Sequence, residues 1–255
     1  MLCTTWILSI TECFRSPKLE RMANSYWFLV GLVVFFSVTL TIIHRLEKRM
    51  VWPYGELQAE PYFGDPTGYG ARSVAEAVRA GFSFLGWARD AKGPNYRVNY
   101  AMLVSAERDT FAVIGVGTIL KMPLQATWLH TPTMDGRSFY STDNQTGVQI
   151  DPSRNWTNQL VPANSFLNLL QKHREWIQSV GVLARTFTQG RELAEFRALR
   201  TEHFRSMERA GLIRFTDASA THFHYTLAGA ARTALTGYFL GMARRLSYGR
   251  FPRSA

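Results

Sequence analysis

Residues 22–43, MANSYWFLVGLVVFFSVTLTII, contain no charged side chain, and Arg21 and His44 bound the run. A helix rises about 1.5 Å per residue, so this run reaches roughly 33 Å, enough to cross the hydrocarbon core of a bilayer. Tyr26 and Trp27 stand at one end and Trp52 and Tyr54 a little beyond the other, where amphipathic rings favour the membrane–water interface. A cleaved signal peptide needs a shorter apolar region and a small-residue cleavage site. Here a charged stretch, His44-Arg45-Leu46-Glu47-Lys48-Arg49, comes directly after the run. A helix packed on one face against a core would keep a polar stripe; this run has none, and a Pro/Gly-rich stretch separates it from the domain. The run is expected to be a single transmembrane helix tethering a globular domain of about 200 residues.

Orientation depends on Lys and Arg near the helix ends. Arg45, Lys48 and Arg49 come after the run, and Arg15, Lys18 and Arg21 precede it. Residues 1–21 read either as a real tail or as an untranslated extension with Met22 as the start. In the second case no Lys or Arg precedes the helix, and the rule places the C-terminal domain in the cytoplasm. In the first, orientation stays open. The sequons at Asn144 and Asn155 matter only in a secretory lumen.

Net charge is +10, unevenly spread. Residues 53–171 carry nine Lys/Arg against ten Asp/Glu, while residues 172–255 carry fourteen against six. The basic C-terminal third points to an anionic neighbour. Beside a membrane the simplest one is lipid, and a solvated basic helix face with no partner is the plain alternative. The only cysteines, Cys3 and Cys13, precede the apolar run. The domain is therefore no disulfide scaffold, thiol enzyme or cysteine-ligated zinc site. Apolar residues make up 46% of the chain, enough for a packed core.

Residues 44–70 read as a basic, then Pro/Gly-rich linker. Ser73 with Glu76 has capping-box spacing. Val74, Val78, Phe82 and Leu85 continue a helical face that Gly93-Pro94 ends. Over 96–104 alternate residues predict a strand. Further strands are expected over 110–116, with Gly115 and Gly117 marking the end, over 124–131, and over 138–142 after the Asp135-Gly136 turn. Connections this short favour an antiparallel meander. Helices are expected next over 166–177 and 191–210. A small hairpin is expected over 212–227, with Phe223, Tyr225 and Leu227 inward and His222 and His224 outward. A last helix spans about 229–246. The expected organisation is a tail (1–21), the span (22–43), the linker (44–70), a helix plus meander (71–162), and a helical region with the hairpin (163–255).

The chain shows no readable catalytic, cofactor or metal site. His222 and His224 share a strand face, but His130, His173 and His203 lie on other elements and supply no third ligand. Glu107 with Asp109 fits a solvated turn. Thr142-Asp143-Asn144 comes after a strand and reads as a polar strand end. Gly115-x-Gly117 lacks the third glycine of a dinucleotide loop. Gly237 and Gly241 have close-packing spacing, but Arg232, Arg244 and Arg245 bracket too short a stretch to span. The candidate contacts to anionic lipid are Arg45, Lys48, Arg49, Arg244 and Arg245, each adding about 1 kcal/mol near a charged leaflet.

Two resemblances rest on particular residues. The segment MERAGLIRF from Met207, a polar loop, and HYTLAG from His224 resemble the tail of a winged-helix domain, in which a wing comes after a recognition helix. The likeness covers about 30 residues, over 207–235. It departs in its short return strand and in an unbroken preceding helix, so it implies a wing-like hairpin and, as an alternative function, DNA binding. The chain also resembles uncharacterised bacterial proteins with a single N-terminal membrane anchor, through Gly81-Phe82 with Leu85-Gly86, SAERD from Ser105, and Asp135-Gly-Arg with Thr142-Asp-Asn. That group implies no activity.

The expectation is an α+β fold: one N-terminal transmembrane helix, an antiparallel β-meander packed with helices, and a small C-terminal hairpin. The expected function is a non-catalytic, membrane-tethered cytoplasmic interaction or scaffold domain. Its partners are the lipid bilayer and an acidic protein; nucleic acid is not the expected partner. The alternatives are a membrane-anchored winged-helix-like DNA-binding regulator, and an enzyme whose scattered site a single sequence does not display.

Overall fold

Alternation over 96–104 does produce a strand, and it lies second in a six-stranded sheet. The computed structural model of the chain describes residues 34–43, 45–65, 67–90, 96–119, 122–143 and 156–234. Residues 34–43 and 45–46 are helical (α1). Next in the chain come β1 (Arg49–Met50), α2 (Tyr69–Arg79), β2 (Ser83–Arg89), β3 (Tyr96–Val104), β4 (Phe111–Ile119), β5 (Met122–Pro132), β6 (Ser138–Thr142), β7 (Trp156–Leu160), α3 (Phe166–Val180), α4 (Glu192–Arg209), β8 (Ile213–Phe215), β9 (His222–Tyr225) and α5 (Leu227–Thr233). The architecture is α+β with a mixed sheet in the order β2-β3-β4-β5-β6-β7 and a smaller sheet in the order β1-β9-β8.

The helix expected from Ser73 to Leu85 is shorter and earlier. It begins at Tyr69 after Gly68, and Ala80 and Gly81 close it. Gly81 takes φ +89°, which ends the helix, and residues 83–89 turn back as β2 beside β3. The capping box does not form. Ser73 is buried inside α2, and the Glu76 carboxylate instead accepts the Phe166 N–H at 2.9 Å, capping α3 from another element. The start of α2 is satisfied by Asp65, which accepts from the Gly70 N–H at 2.7 Å.

Strands β2 to β6 pair antiparallel in sequence order, a five-stranded meander. Strand β7 departs from it by pairing parallel to β6. Residues 143–155 separate the two, long enough for the crossover a parallel pair requires. Gly115 and Gly117 do not end β4, which runs on to Ile119 in unbroken register with β3. A side chain at Gly115 would collide with Trp128 and Tyr100, so that glycine makes room for two rings packed over one face of the sheet. Gly117 has φ +145°, and a Cβ there would lie 1.9 Å from the Arg97 carbonyl oxygen.

Both faces of the sheet are covered. On one, α2 and α3 pack Ala77, Phe166, Leu169 and Leu170 against Ala101, Leu103, Ile114 and Leu129. On the other, Phe187 and α4 pack against Tyr100, Met102, Phe111 and Val113. The Phe196 ring stacks on Phe111 with centroids 4.1 Å apart. The Pro/Gly-rich stretch forms no helix before Tyr69 among the described residues, and its part around Trp52, Tyr54 and Leu57 lies along this second face. Trp52 meets Phe196 edge-on and Tyr54 meets Tyr100; farther along, the chain reaches the first face, where Asn99 exchanges hydrogen bonds with both backbone groups of Phe63.

The small sheet adds β1 to the expected hairpin. Phe223, Tyr225, Ile213 and Val51 are buried there with Met207 and Ala230. Leu227, expected to point inward, is 69% exposed because it starts α5 rather than extending β9. Residues 235–246 of the last expected helix lie outside the described residues.

In α1, Val34, Phe35, Phe36, Val38, Ile42 and Ile43 are between 51% and 65% exposed. Among the described residues no helix is long and apolar enough to cross a membrane. Residues 22–33, more than half of the expected span, lie outside the described residues.

Gly117→Ala is expected to lose more than about 3 kcal/mol, because strain at positive φ adds to a collision with fixed backbone. Gly136→Ala, at φ +82° with open space around it, should lose only about 1 kcal/mol. Urea unfolding of the purified chain in detergent measures both, and equal losses would contradict the close approach at Gly117.

Candidate functional site

Inward positions on strands are normally apolar, yet β5 and β6 place Thr131 and Ser141 there, facing His173 of α3. All three are buried. They form one continuous hydrogen-bonded chain, and its direction can be worked out from the charged end. The Asp109 carboxylate only accepts; it takes the Ser105 hydroxyl at 2.8 Å and the Thr110 hydroxyl at 3.0 Å. With its proton so used, Thr110 accepts from the Thr131 hydroxyl at 2.9 Å. Thr131 in turn accepts from the His173 Nε2–H at 2.9 Å. The other ring nitrogen, Nδ1, is then the acceptor for the Ser141 hydroxyl at 2.6 Å. Ser141 accepts from the Gln159 amide at 2.7 Å. The network thereby assigns a neutral, Nε2-protonated imidazole. Burial lowers the ring to about 4, with the Asp109 charge opposing.

Gln159, at the far end of the chain, lines a shallow open groove of about 390 Å³ together with Val161, Lys172, Glu175, Trp176 and Ser179. Ser141 next to a histidine has the outline of a nucleophile and its base. The surroundings argue for another role. Ser141 is wholly covered, Gln159 stands between it and the groove, and an imidazole with so low a pKa is a weak base at neutral pH. The chain ties α3 to three strands and satisfies every polar group it buries.

A second polar cluster lies where β6 ends. Asp143 accepts the Thr127 N–H at 2.6 Å and the Tyr69 hydroxyl at 2.9 Å. Burial pushes its carboxyl up to about 6 despite both bonds. Burial and the Asp143 charge push the Tyr69 hydroxyl upward. The Thr142-Asp143 strand end is thus a buried junction with α2, not a solvated terminus; the two sequon asparagines, Asn144 and Asn155, lie outside the described residues.

The opposite face gathers aromatic rings around Arg200. Its guanidinium lies 5.7 Å from the Tyr54 ring and 5.8 Å from Phe204. His130 and His203 bracket Trp156, with ring centroids 5.0 and 4.2 Å from it. Burial, then the Arg200 charge, holds His130 well below its usual range. His173 lies across the sheet and His222 and His224 on the small sheet. Among the described residues no group of three His, Cys, Asp or Glu could hold a metal ion.

Three of the five lipid-contact candidates, Arg45, Lys48 and Arg49, lie beside the small sheet. Arg45 donates to the Tyr225 carbonyl at 3.2 Å. Arg49 lies over the Tyr225 ring and pairs with Glu47 at 2.5 Å. Both guanidiniums thus serve the junction between α1 and β9. Lys48 is exposed. Arg244 and Arg245 lie outside the described residues. Glu107 is exposed and 3.9 Å from Arg174, whereas Asp109 closes the turn after β3.

Local sequence pattern does not reveal the polar chain. Its one local signal is a histidine at a core-facing position of the α3 stripe. Ser141 and Thr131 are ordinary in strands, and only tertiary pairing makes them partners.

Ser141→Ala removes a donor to His173 and an acceptor for Gln159, so a loss of about 2 kcal/mol in urea unfolding is expected. No loss would show the chain is not satisfied as described. A pH series tests Asp143. His130 and His173, depressed below the unfolded value of about 6.5, contribute stability above that value that is lost on acidification, for His173 as pH falls toward 4. Asp143, raised to about 6, acts in the opposite sense, contributing at low pH and losing that contribution as pH rises through 6. Asp143→Asn removes the opposing proton, so stability between pH 4 and 6 should fall on acidification more steeply by about 1.4 kcal/mol per pH unit. An unchanged slope would contradict the buried carboxyl.

No family model matches the chain, and neither a curated protein nor a solved structure matches it.

Proposed function

We propose that this chain is a single-pass membrane protein whose folded part is a non-catalytic interaction domain held at the cytoplasmic face. The observation that carries the reading is α1, in which every large apolar side chain but Leu40 is more than half exposed. An amphipathic surface helix would turn such residues toward the core. Here they continue the uncharged run of residues 22–33, and an acyl environment satisfies them at about 25 cal/mol per Å² of apolar surface removed from water. Counted without residues 1–21, Arg45, Lys48 and Arg49 just beyond the apolar run favour the cytoplasm for the folded domain; Arg15, Lys18 and Arg21 would balance them. The polar chain through His173 is internally satisfied and the groove beside it is shallow, which suits a scaffold better than a reaction chamber.

The second reading, a DNA-binding regulator, draws support from the hairpin after α4, which β1 extends to three strands. Against it, α4 is one unbroken helix of 18 residues, without the turn of a helix-turn-helix.

The full chain is expected to remain in the membrane pellet after alkaline carbonate extraction. In sealed right-side-out vesicles the domain should resist added protease. Release by carbonate would overturn the membrane reading, and digestion of the domain in sealed vesicles would overturn the orientation.

A further inference from the structure

We propose that the outer face of the three-stranded sheet docks against anionic lipid headgroups, with Lys48 and Arg214 as its cationic contacts. This rests on the membrane reading and names the surface that reading leaves open. Arg49 pairs with Phe223, so in an antiparallel register Lys48 falls opposite His224. His224 pairs with Arg214 on the other side. Lys48, His224 and Arg214 therefore form a row across three strands, on the face opposite the buried Phe223, Tyr225 and Ile213. Lys48 and Arg214 are exposed, and neither stands in an ion pair among the described residues.

The neighbouring acids are occupied by the fold. Glu47 pairs with Arg49, Asp217 accepts from the Thr221 and His222 N–H groups, and Glu208 accepts from the Phe215 N–H. Position also favours lipid over another polyanion. Arg49 lies three positions beyond Leu46, a span of at most about 10 Å, which is the range of a leaflet's surface potential. Arg45, bonded to the Tyr225 carbonyl, pins the sheet to the foot of α1. Leu46 and Leu227, 73% and 69% exposed, flank that junction with apolar groups suited to the interface.

The test uses the full chain in vesicles of phosphatidylcholine alone or with one third phosphatidylglycerol. Flotation is scored first, then amide hydrogen exchange over 48–50, 213–216 and 222–225. The expected result is flotation with both lipids, and slower exchange in these strands with the anionic vesicles only. Lys48→Glu and Arg214→Glu should each weaken the docking about five-fold, which is 1 kcal/mol per cation, while still floating. Equal exchange in both lipids, or variants that keep the full difference, would overturn the docking face alone. Failure to float with either vesicle would overturn the membrane reading and the docking face together. Equal protection by duplex DNA without vesicles would assign the face to nucleic acid and overturn the proposal.

Discussion

Burial of the central sheet on both faces is the condition that the rest of the domain obeys. Helices α2 and α3 close one side, and α4 with the stretch around Trp52 and Tyr54 closes the other. A polar group between such layers has no water to turn to, and leaving it unpaired costs about 1–3 kcal/mol. The hydrogen-bonded chain from Gln159 through Ser141, His173, Thr131 and Thr110 to Asp109 meets that condition on one face. On the other face aromatic edges meet His130 and Arg200. The same dryness keeps His130 and His173 neutral and raises Asp143.

The small sheet answers a different demand. It is built from pieces distant in sequence: two residues just after α1 and a hairpin beyond residue 210. This pairing joins the start of the domain to its end at the place where the chain leaves α1. Arg45 and Arg49, which composition alone would assign to a charged leaflet, are engaged with Tyr225 and Glu47. Lys48 and Arg214, by contrast, stand exposed beside the same sheet, and no local pattern singles out Arg214.

Much of the secondary structure was legible because it rests on local periodicity. The meander from β3 to β6, helices α3 and α4, and the turn at Asp135-Gly136 all arise from spacing and turn chemistry. The errors fall where a distant partner outweighs local preference. Ser73 and Glu76 have capping spacing, but Ser73 is drawn into the core and Glu76 caps α3. Phe82 and Leu85 fit a helical face, but Gly81 turns the chain and β3 offers an edge to pair with. Gly115 and Gly117 suggest a strand end, yet they are the points where rings and backbone pack close against a strand that continues.

Sequence by itself determined the uncharged run and the charges just beyond it, the absence of cysteine from the domain, and the alternation that makes β3 a strand. These are properties of composition and short-range pattern, and they need no partner. Tertiary structure decided that β7 runs parallel to β6, that β1 joins β9, and that Ser141, His173 and Thr131 meet. Each depends on contacts between residues far apart in the chain, and those contacts are selected by burying two faces of a sheet at once, a condition no single segment carries.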